Sequence, residues 1–474
     1  MSRYGPSRRT VFGTVALAAA LPALIAARPS YTRAQSNTII ANDLEVVTIT
    51  DSSVVVTWTT TTRGEHGRPL PIPTDTELRL APADSVRAPV AVYSQADPTP
   101  FHYAEIHGLE PGRGYRFEAW SAGTRATPAW NVTTQRAGTP ESRGVFTTLV
   151  PPPGRPLRTF ALANDIHFGE PVSGLVIRDL PRAIRQDPGH PPYSELMLTA
   201  LLDDLRTPDR AVDHLILAGD LTHEAAPADC RGVRAHLDAW GTLGRDYFVC
   251  RGNHDRPHIG AEYASGPQLP GLPHHDCWGA EFHPRQELRS HDIGGLRVIG
   301  LDTTELDAAR GRIEPAQFDN LRQLLRSDRD CPTLIFGHHP VTRDSAYTNF
   351  GGPGFILDRR GAAELHELYR TAPGVFLQHS GHTHRNRRST PDIPIDVEFL
   401  EVAALKEYPG GYSMLRLYEG GYMVSFHKTR GEAARRWSTR TRKQYFGLQP
   451  TYALGSTADR NHVVHRDFSG LRPA

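Results

Sequence analysis

Between Asn37 and about Val150, apolar and polar residues alternate in short β-rich runs. The run LEVVTITDSSVVVTWTT reads as two strands turning at Asp51-Ser52-Ser53, and PVAVYSQ, FHYAEIHGL, YRFEAWSAG and GVFTTLV follow at regular spacing. No amphipathic helical stretch interrupts them, which predicts a small all-β sandwich over 37–150. PPPGRP (Pro151 to Pro156) then forms a stiff, helix-free linker over 151–156. Beyond it the period changes. Buried strands (RTFALAND, DHLILAGD, DYFVCRGNHD, LRVIGLDTT, TLIFGHHP, GVFLQHSGHTH) alternate with amphipathic stretches that predict helices over 193–205, 228–243, 314–325 and 361–369. Ser194 is the expected cap of the first, and Pro315 lies in the first turn of the third. Strands alternating with helices predict an α/β domain with a largely buried sheet over 157–430, closed by a hairpin around Gly420-Gly421. From 431 to 474 the chain is polar and basic with weak pattern, and a loosely packed tail is expected.

Composition adds limits. At 474 residues the chain is long enough for two domains. It is 39% apolar and 22% charged with a formal net charge of +1, so no broad basic surface marks it for nucleic acid or anionic membrane. Residues 1–34 combine Arg8-Arg9, an Ala/Leu-rich run from Val11 to Ala27 and small-residue cleavage points after Ala27 or Ala34. The paired arginines after Ser7 resemble a twin-arginine signal, which implies export to the cell envelope or medium, with a retained signal anchor as the other reading. No other segment is long and apolar enough to span a bilayer. Cys230, Cys250, Cys277 and Cys331 show no C-x-x-C spacing, which excludes a zinc knuckle or thioredoxin-like motif.

The candidate chemistry lies at the strand ends. Five strands finish in polar clusters: NDIH, GD, GNHD, GHHP and SGHTH. Each is weak alone, since Gly-Asp after a strand is usually a helix cap and Gly-His-Thr-His could be a solvated turn. Five such clusters in one order are another matter, because ligand sites form at the carboxyl ends of strands in α/β sheets. Asp165, His167, Asp220, Asn253, His254, His338, His382 and His384 are therefore expected on one rim. Carboxylates, imidazoles and an amide oxygen, without thiolate, suit two divalent ions of manganese, iron or zinc. One carboxylate must bridge such a pair, and Asp220 lies between the others in sequence order.

The ordered set Asp-x-His, Gly-Asp, Gly-Asn-His-Asp, His and Gly-His-x-His resembles the calcineurin-like metallophosphoesterase superfamily. The resemblance implies a two-layer β-sandwich flanked by helices and a dinuclear centre. One ion would take Asp165, His167, Asp220 and His384, the other Asp220, Asn253, His338 and His382, with His338 favoured over His339. It also implies in-line attack on phosphorus by a metal-bound hydroxide, with His254 steadying the transition state or protonating the leaving oxygen. Asp255 would orient His254 or cap the next segment. Purple acid phosphatases also carry a β-sandwich before such a domain, but His223 stands where their iron-binding tyrosine would be. GDLT, GNHD, HHP and GHTH are more similar to cyclic-nucleotide and glycerophosphodiester phosphodiesterases. The stretch HGLEPGRGYRFEAWSAG, through Leu109, Pro111, Gly112 and Tyr115, resembles the fibronectin type III pattern, and Trp58 suits its core tryptophan.

The expected function is hydrolysis of a small phosphoester, diester or monoester. A nuclease of the same superfamily, or a non-catalytic binding protein that uses its sandwich, are the alternatives. Substrate contacts are expected from the insertion over 256–292, with His258, His274, His275, His283 and His291, and from the loop after GHHP. His339, Arg343, Asn349, Arg385 and Asn386 are the further substrate-binding candidates.

Overall fold

The computed structural model describes residues 38–64, 68–129, 138–174, 184–444 and 449–473. The expected signal over 1–34 lies outside the described residues. Among these residues, no helix is long and apolar enough to cross a membrane.

Ile39–Ala474 is one compact unit. Its N-terminal part is a pair of antiparallel sheets, Ile40–Ile49, Ser53–Arg63, Pro69–Pro71 and Phe101–His107 against Val90–Thr99, Thr74–Pro82, Gly114–Ser121, Thr124–Arg125 and Val145–Thr147. Alternate residues of the facing strands, including Val46, Val54, Val56, Leu78, Leu80 and Phe117, fill the space between them. Trp58 is buried there, its indole N–H donating to Ser121 Oγ at 2.9 Å and its ring stacked on His102.

The second part consists of two six-stranded sheets face to face. Strand Pro156–Ala163 runs parallel to His214–Ala218, which runs parallel to Tyr247–Cys250, and on its other side pairs antiparallel with Gly411–Tyr418. In the facing sheet Leu296–Leu301, Thr333–Gly337, Val375–Ser380 and Glu398–Glu401 are parallel neighbours. Phe160, Ile216 and Phe248 from one sheet meet Val298, Phe336 and Leu377 from the other in a common apolar layer. Helices Tyr193–Leu205 and Pro227–Trp240 cover the outer face of the first sheet, and Pro315–Ser327 and Arg359–Arg370 that of the second. Strands buried on both faces explain the unbroken apolar runs of the sequence. Helix Tyr193–Leu205 has Pro192 at its cap position, so Ser194 is inside the first turn rather than at the cap.

The C-terminal segment departs from the loose tail expected. Helix Glu432–Thr441 buries Trp437 against Tyr193 with ring centroids 4.3 Å apart. Asn461–His465 then adds an edge strand beside Gly421–Lys428, and Phe468 and Leu471 close the layer between the sheets. A few large apolar side chains anchor this segment, too widely spaced to register as a period.

Candidate metal centre

Each motif begins where a parallel strand ends, so the site lies across the carboxyl ends of both sheets. Strands ending at Ala163, Ala218 and Cys250 bring in Asp165, His167, Asp220 and Asn253, and those ending at Gly337 and Ser380 bring in His338, His382 and His384. The loops nest closely. Gly219 has φ +84°, and a Cβ on Gly252 would lie 2.1 Å from the Asp220 nitrogen, so neither position has room for a side chain. Asp255 stitches the two loops: its carboxylate accepts from the backbone N–H groups of Leu221, Thr222 and Gly252 and from the Thr222 hydroxyl. Neither role expected for Asp255 is the one it takes: it holds two preceding loops together instead of capping the next segment or orienting His254. Its oxygens are spent on the backbone and do not reach the His254 ring.

Asp165 (φ 52°), His167 (50°), Asp220 (51°), His382 (66°) and His384 (54°) all occupy the left-handed backbone region. That region is unfavourable for residues with a Cβ, and such strain persists where the surroundings hold the chain for a functional reason. Each aspartate divides its oxygens. Asp165 Oδ2 accepts from the Asn164 amide at 2.6 Å and the His382 N–H at 3.0 Å, while Oδ1 faces His384 Nε2 at 3.3 Å and His167 Nε2 at 3.8 Å. Asp220 Oδ1 accepts from the His254 N–H at 2.8 Å; Oδ2 is 3.3 Å from His167 Nε2 and 3.1 Å from His338 Nε2. His338 Nε2 is also 3.0 Å from Asn253 Oδ1 and 3.2 Å from His382 Nδ1. The donors thus form two groups that share Asp220 Oδ2.

A surrounding shell, absent from the sequence reading, fixes the rings. His338 Nδ1 donates to the Ala218 carbonyl at 2.8 Å, so in the neutral imidazole Nε2 is the lone-pair atom. His384 Nδ1 is 2.9 Å from Glu407, whose other oxygen accepts from Ser173 Oγ at 3.0 Å. Glu170 Oε2 is 3.8 Å from His167 Nδ1 and takes Lys406 Nζ at 2.6 Å and the Tyr193 hydroxyl. Carboxylate-to-histidine contacts of this kind orient metal ligands and raise their basicity. The stretch Leu405-Lys406-Glu407-Tyr408 carries no spacing signal and lies outside every motif of the sequence.

The donor set fits cations. Asp165 Oδ1, both ring nitrogens of His167 and His382 Nε2 are buried without a hydrogen-bond partner. Burial opposes charge on His338 and His384, yet Asp220 and Asp165 respectively outweigh it and push the imidazoles up, to about 9 and about 10. The buried carboxylates demand positive charge here, and the lone pairs converge where divalent ions would supply it.

His254 stands beside this cluster. Its Nδ1 is 2.6 Å from the His223 carbonyl and its ring centroid 4.5 Å from that of His167. Burial pushes it down to about 3, Asp220 pulling up and His167 down. It is neutral at ordinary pH, with Nδ1–H held by the carbonyl and Nε2 left open.

The substrate-binding candidates are not brought together. His339 has Nδ1 2.8 Å from the Thr303 hydroxyl and Nε2 3.1 Å from the Ala309 carbonyl, so its ring holds a neighbouring loop. Asn349 caps its own helix, its amide donating to the carbonyls of Ser345 and Gly352. Arg385 is buried on Glu401, with Nη1 on the Thr348 carbonyl, and Asn386 is buried between the Leu454 carbonyl and the Ala403 N–H. These three are framework residues: the turn after His384 feeds straight into the strand Arg387–Ser389, against which Glu401 is buried. Arg343 is exposed and makes no side-chain hydrogen bond.

Residues 158–386 match the family model of calcineurin-like phosphoesterases. A probable cyclic nucleotide phosphodiesterase of Synechococcus sp. is 29% identical over 181 residues, covering 37% of this chain and 59% of that protein's length. Among solved structures, a purple acid phosphatase from yellow lupin aligns over 91% of this chain and 75% of its own, with 14% identity and a TM-score of 0.41. A dimetal phosphatase from Danio rerio aligns over 58% of this chain and 98% of its own, with 16% identity and a TM-score of 0.42. Ordered motifs, shared carboxylate and family match agree: from residue 158 to residue 386 this chain is a calcineurin-like phosphoesterase domain.

Proposed function

We propose that the protein is an exported hydrolase of small phosphoesters, with phosphodiesters of the cyclic-nucleotide or glycerophosphodiester kind ahead of monoesters. The observation that carries this is Asp220 Oδ2, 3.3 Å from His167 Nε2 and 3.1 Å from His338 Nε2, one oxygen common to two converging ligand groups. Asp165, His167, Asp220 and His384 would hold one divalent ion, and Asp220, Asn253, His338 and His382 the other. Such a pair supplies an acidified water and neutralises phosphate charge. The chain's own residues do the rest. Asn164, the His382 N–H and the His254 N–H take one oxygen of each aspartate and aim the other inward. The open Nε2 of His254 accepts a proton, or donates one once a bound phosphoryl group has raised its basicity. The name of the Synechococcus relative supports the diester preference.

The test is metal analysis of purified protein coupled to hydrolysis of bis-p-nitrophenyl phosphate, cyclic nucleotides, glycerophosphodiesters and phosphomonoesters. Chelator-stripped protein should regain diester hydrolysis with Mn²⁺, Fe²⁺ or Zn²⁺, and D220N should lose both metals and turnover. A protein that holds two metals per chain and hydrolyses none of these esters would overturn the proposal.

A further inference from the structure

His382 differs from the other imidazoles of the metal centre in how its ring is held. His338 Nδ1 donates to the Ala218 carbonyl, His384 Nδ1 is 2.9 Å from Glu407, and Glu170 stands 3.8 Å from His167 Nδ1. Such outer acceptors normally fix the orientation of a metal-binding histidine. His382 has none. Its Nδ1 meets only His338 Nε2, itself a member of the ligand group, at 3.2 Å, and its Nε2 is sealed from water without a partner. Hydrogen bonds therefore do not set the orientation of this ring, and packing must.

Phe355 supplies that packing. Its half-buried ring lies on the imidazole of His382 with centroids 4.9 Å apart and planes 19° from parallel. His338 and His339 meet the same imidazole at steep angles, each with its centroid 4.8 Å away. The ring neighbours of His167 and His384, by contrast, are other imidazoles. The backbone around Phe355 is tied down on both sides. The Asn349 amide donates to the Gly352 carbonyl at 3.1 Å, the Gly311 N–H to the Ile356 carbonyl at 3.0 Å and the Leu357 N–H to the Pro340 carbonyl at 2.9 Å. Gly351 makes the room: its φ of −84° suits any residue, but a Cβ there would overlap the Phe355 ring. The ring, not the backbone, requires the glycine. We propose that Phe355 is a positioning residue of the metal centre. Its flat face takes the place of the missing outer acceptor and aims His382 at the ion that Asn253 and His338 would also hold. The loop after GHHP, expected from the sequence to reach substrate, thereby serves a metal ligand. This rests on the phosphoesterase reading above and deepens it.

Calorimetric titration of the metal-free chain with Mn²⁺ tests this independently of turnover. Wild type should bind two ions, and E407A identifies the step that belongs to the Asp165 group. F355A should weaken the other step about tenfold, the lower end of what loss of an outer partner costs, and leave the Glu407-sensitive step unchanged. F355Y, which keeps the flat face, should bind as wild type does. F355L, which keeps apolar bulk alone, should resemble F355A. So should G351A, which displaces the ring without removing it. Melting of the metal-free variants checks that each is folded; if F355A is not, F355L against F355Y makes the same comparison. An F355L or G351A with wild-type affinity at both steps would refute the stacking role. Equal weakening of both steps would reduce Phe355 to general framework and refute it as well. A wild-type chain that takes up fewer than two ions would instead overturn the two-ion phosphoesterase reading, and this inference with it.

Discussion

Glu407 offers the sharpest handle on the metal centre. Its carboxylate is buried, 2.9 Å from His384 Nδ1, and bound on its other side by Ser173. Burial pushes Glu407 up, but His384 and Lys406 outweigh it and hold it below the ordinary carboxylate value, so it is ionised at neutral pH. E407Q keeps the shape and an oxygen for Nδ1 but removes the charge. E407A removes both and frees the ring to turn. Loss of such an outer partner typically costs roughly 10–100-fold in metal affinity, or about 1.4–2.7 kcal/mol. E407Q is expected near the lower figure and E407A near the upper. The effect should fall on one ion of the two, because Asn253, His338 and His382 do not touch Glu407. Metal content after dialysis, measured by mass spectrometry, should drop towards one ion per chain in E407A, and Mn²⁺ titration should show one weakened and one intact step. Full retention of both ions would refute the assignment of His384 to the Asp165 group. Equal loss of both, with a large fall in melting temperature, would show a framework role instead.

H254A should keep both metals and lose on the order of 10²–10⁴ in kcat, measured by metal analysis beside bis-p-nitrophenyl phosphate hydrolysis; parallel loss of metal would make His254 a support for Asp220 instead. R385A should cost about 3–5 kcal/mol of stability by stranding buried Glu401, read by denaturant unfolding, and a raised KM with stability intact would return Arg385 to the substrate side. Burial pushes Glu45 up, but Lys428 and Arg442 outweigh it and bring it down to about 2. Because the folded value lies below the unfolded one, its contribution of about 3 kcal/mol is complete above about pH 4.5 and disappears as pH falls towards 2. Unfolding midpoints of wild type and E45Q should therefore converge in acid, and a constant gap would refute the ion-pair account.

What the sequence showed and what it hid have physical causes. The strands were legible because a strand buried on both faces leaves an unbroken apolar run, and the motifs because ligand-type residues directly follow those runs. His338 over His339 was open to residue patterns alone; the structure favours His338, since both nitrogens of His339 are within hydrogen-bond reach of the Thr303 hydroxyl and the Ala309 carbonyl. The expectation for Arg385 and Asn386 rests on adjacency to a motif, which says nothing of direction, and their partners Glu401, Leu454 and Ala403 are remote in sequence. Glu170, Lys406 and Glu407 were missed for the same reason. An orienting shell has no spacing of its own, since any carboxylate of suitable reach can do its work. The C-terminal segment was misjudged because Trp437, Phe468 and Leu471 act singly.

Glu45 of the N-terminal sandwich accepts from the Tyr408 hydroxyl, Lys428 and Arg442, all of the C-terminal half, and Trp437 donates its indole N–H to the Lys406 carbonyl. The short stretch that steers His167 and His384 is thereby gripped from two sides by segments outside the 158–386 match. Cutting the chain at the proline-rich linker to obtain a minimal enzyme would leave the cluster of ligands whole and remove one of its two anchors. The excised piece should be a poorer metal binder than the intact chain, and a fragment that starts at the first strand of the sandwich should match the intact chain.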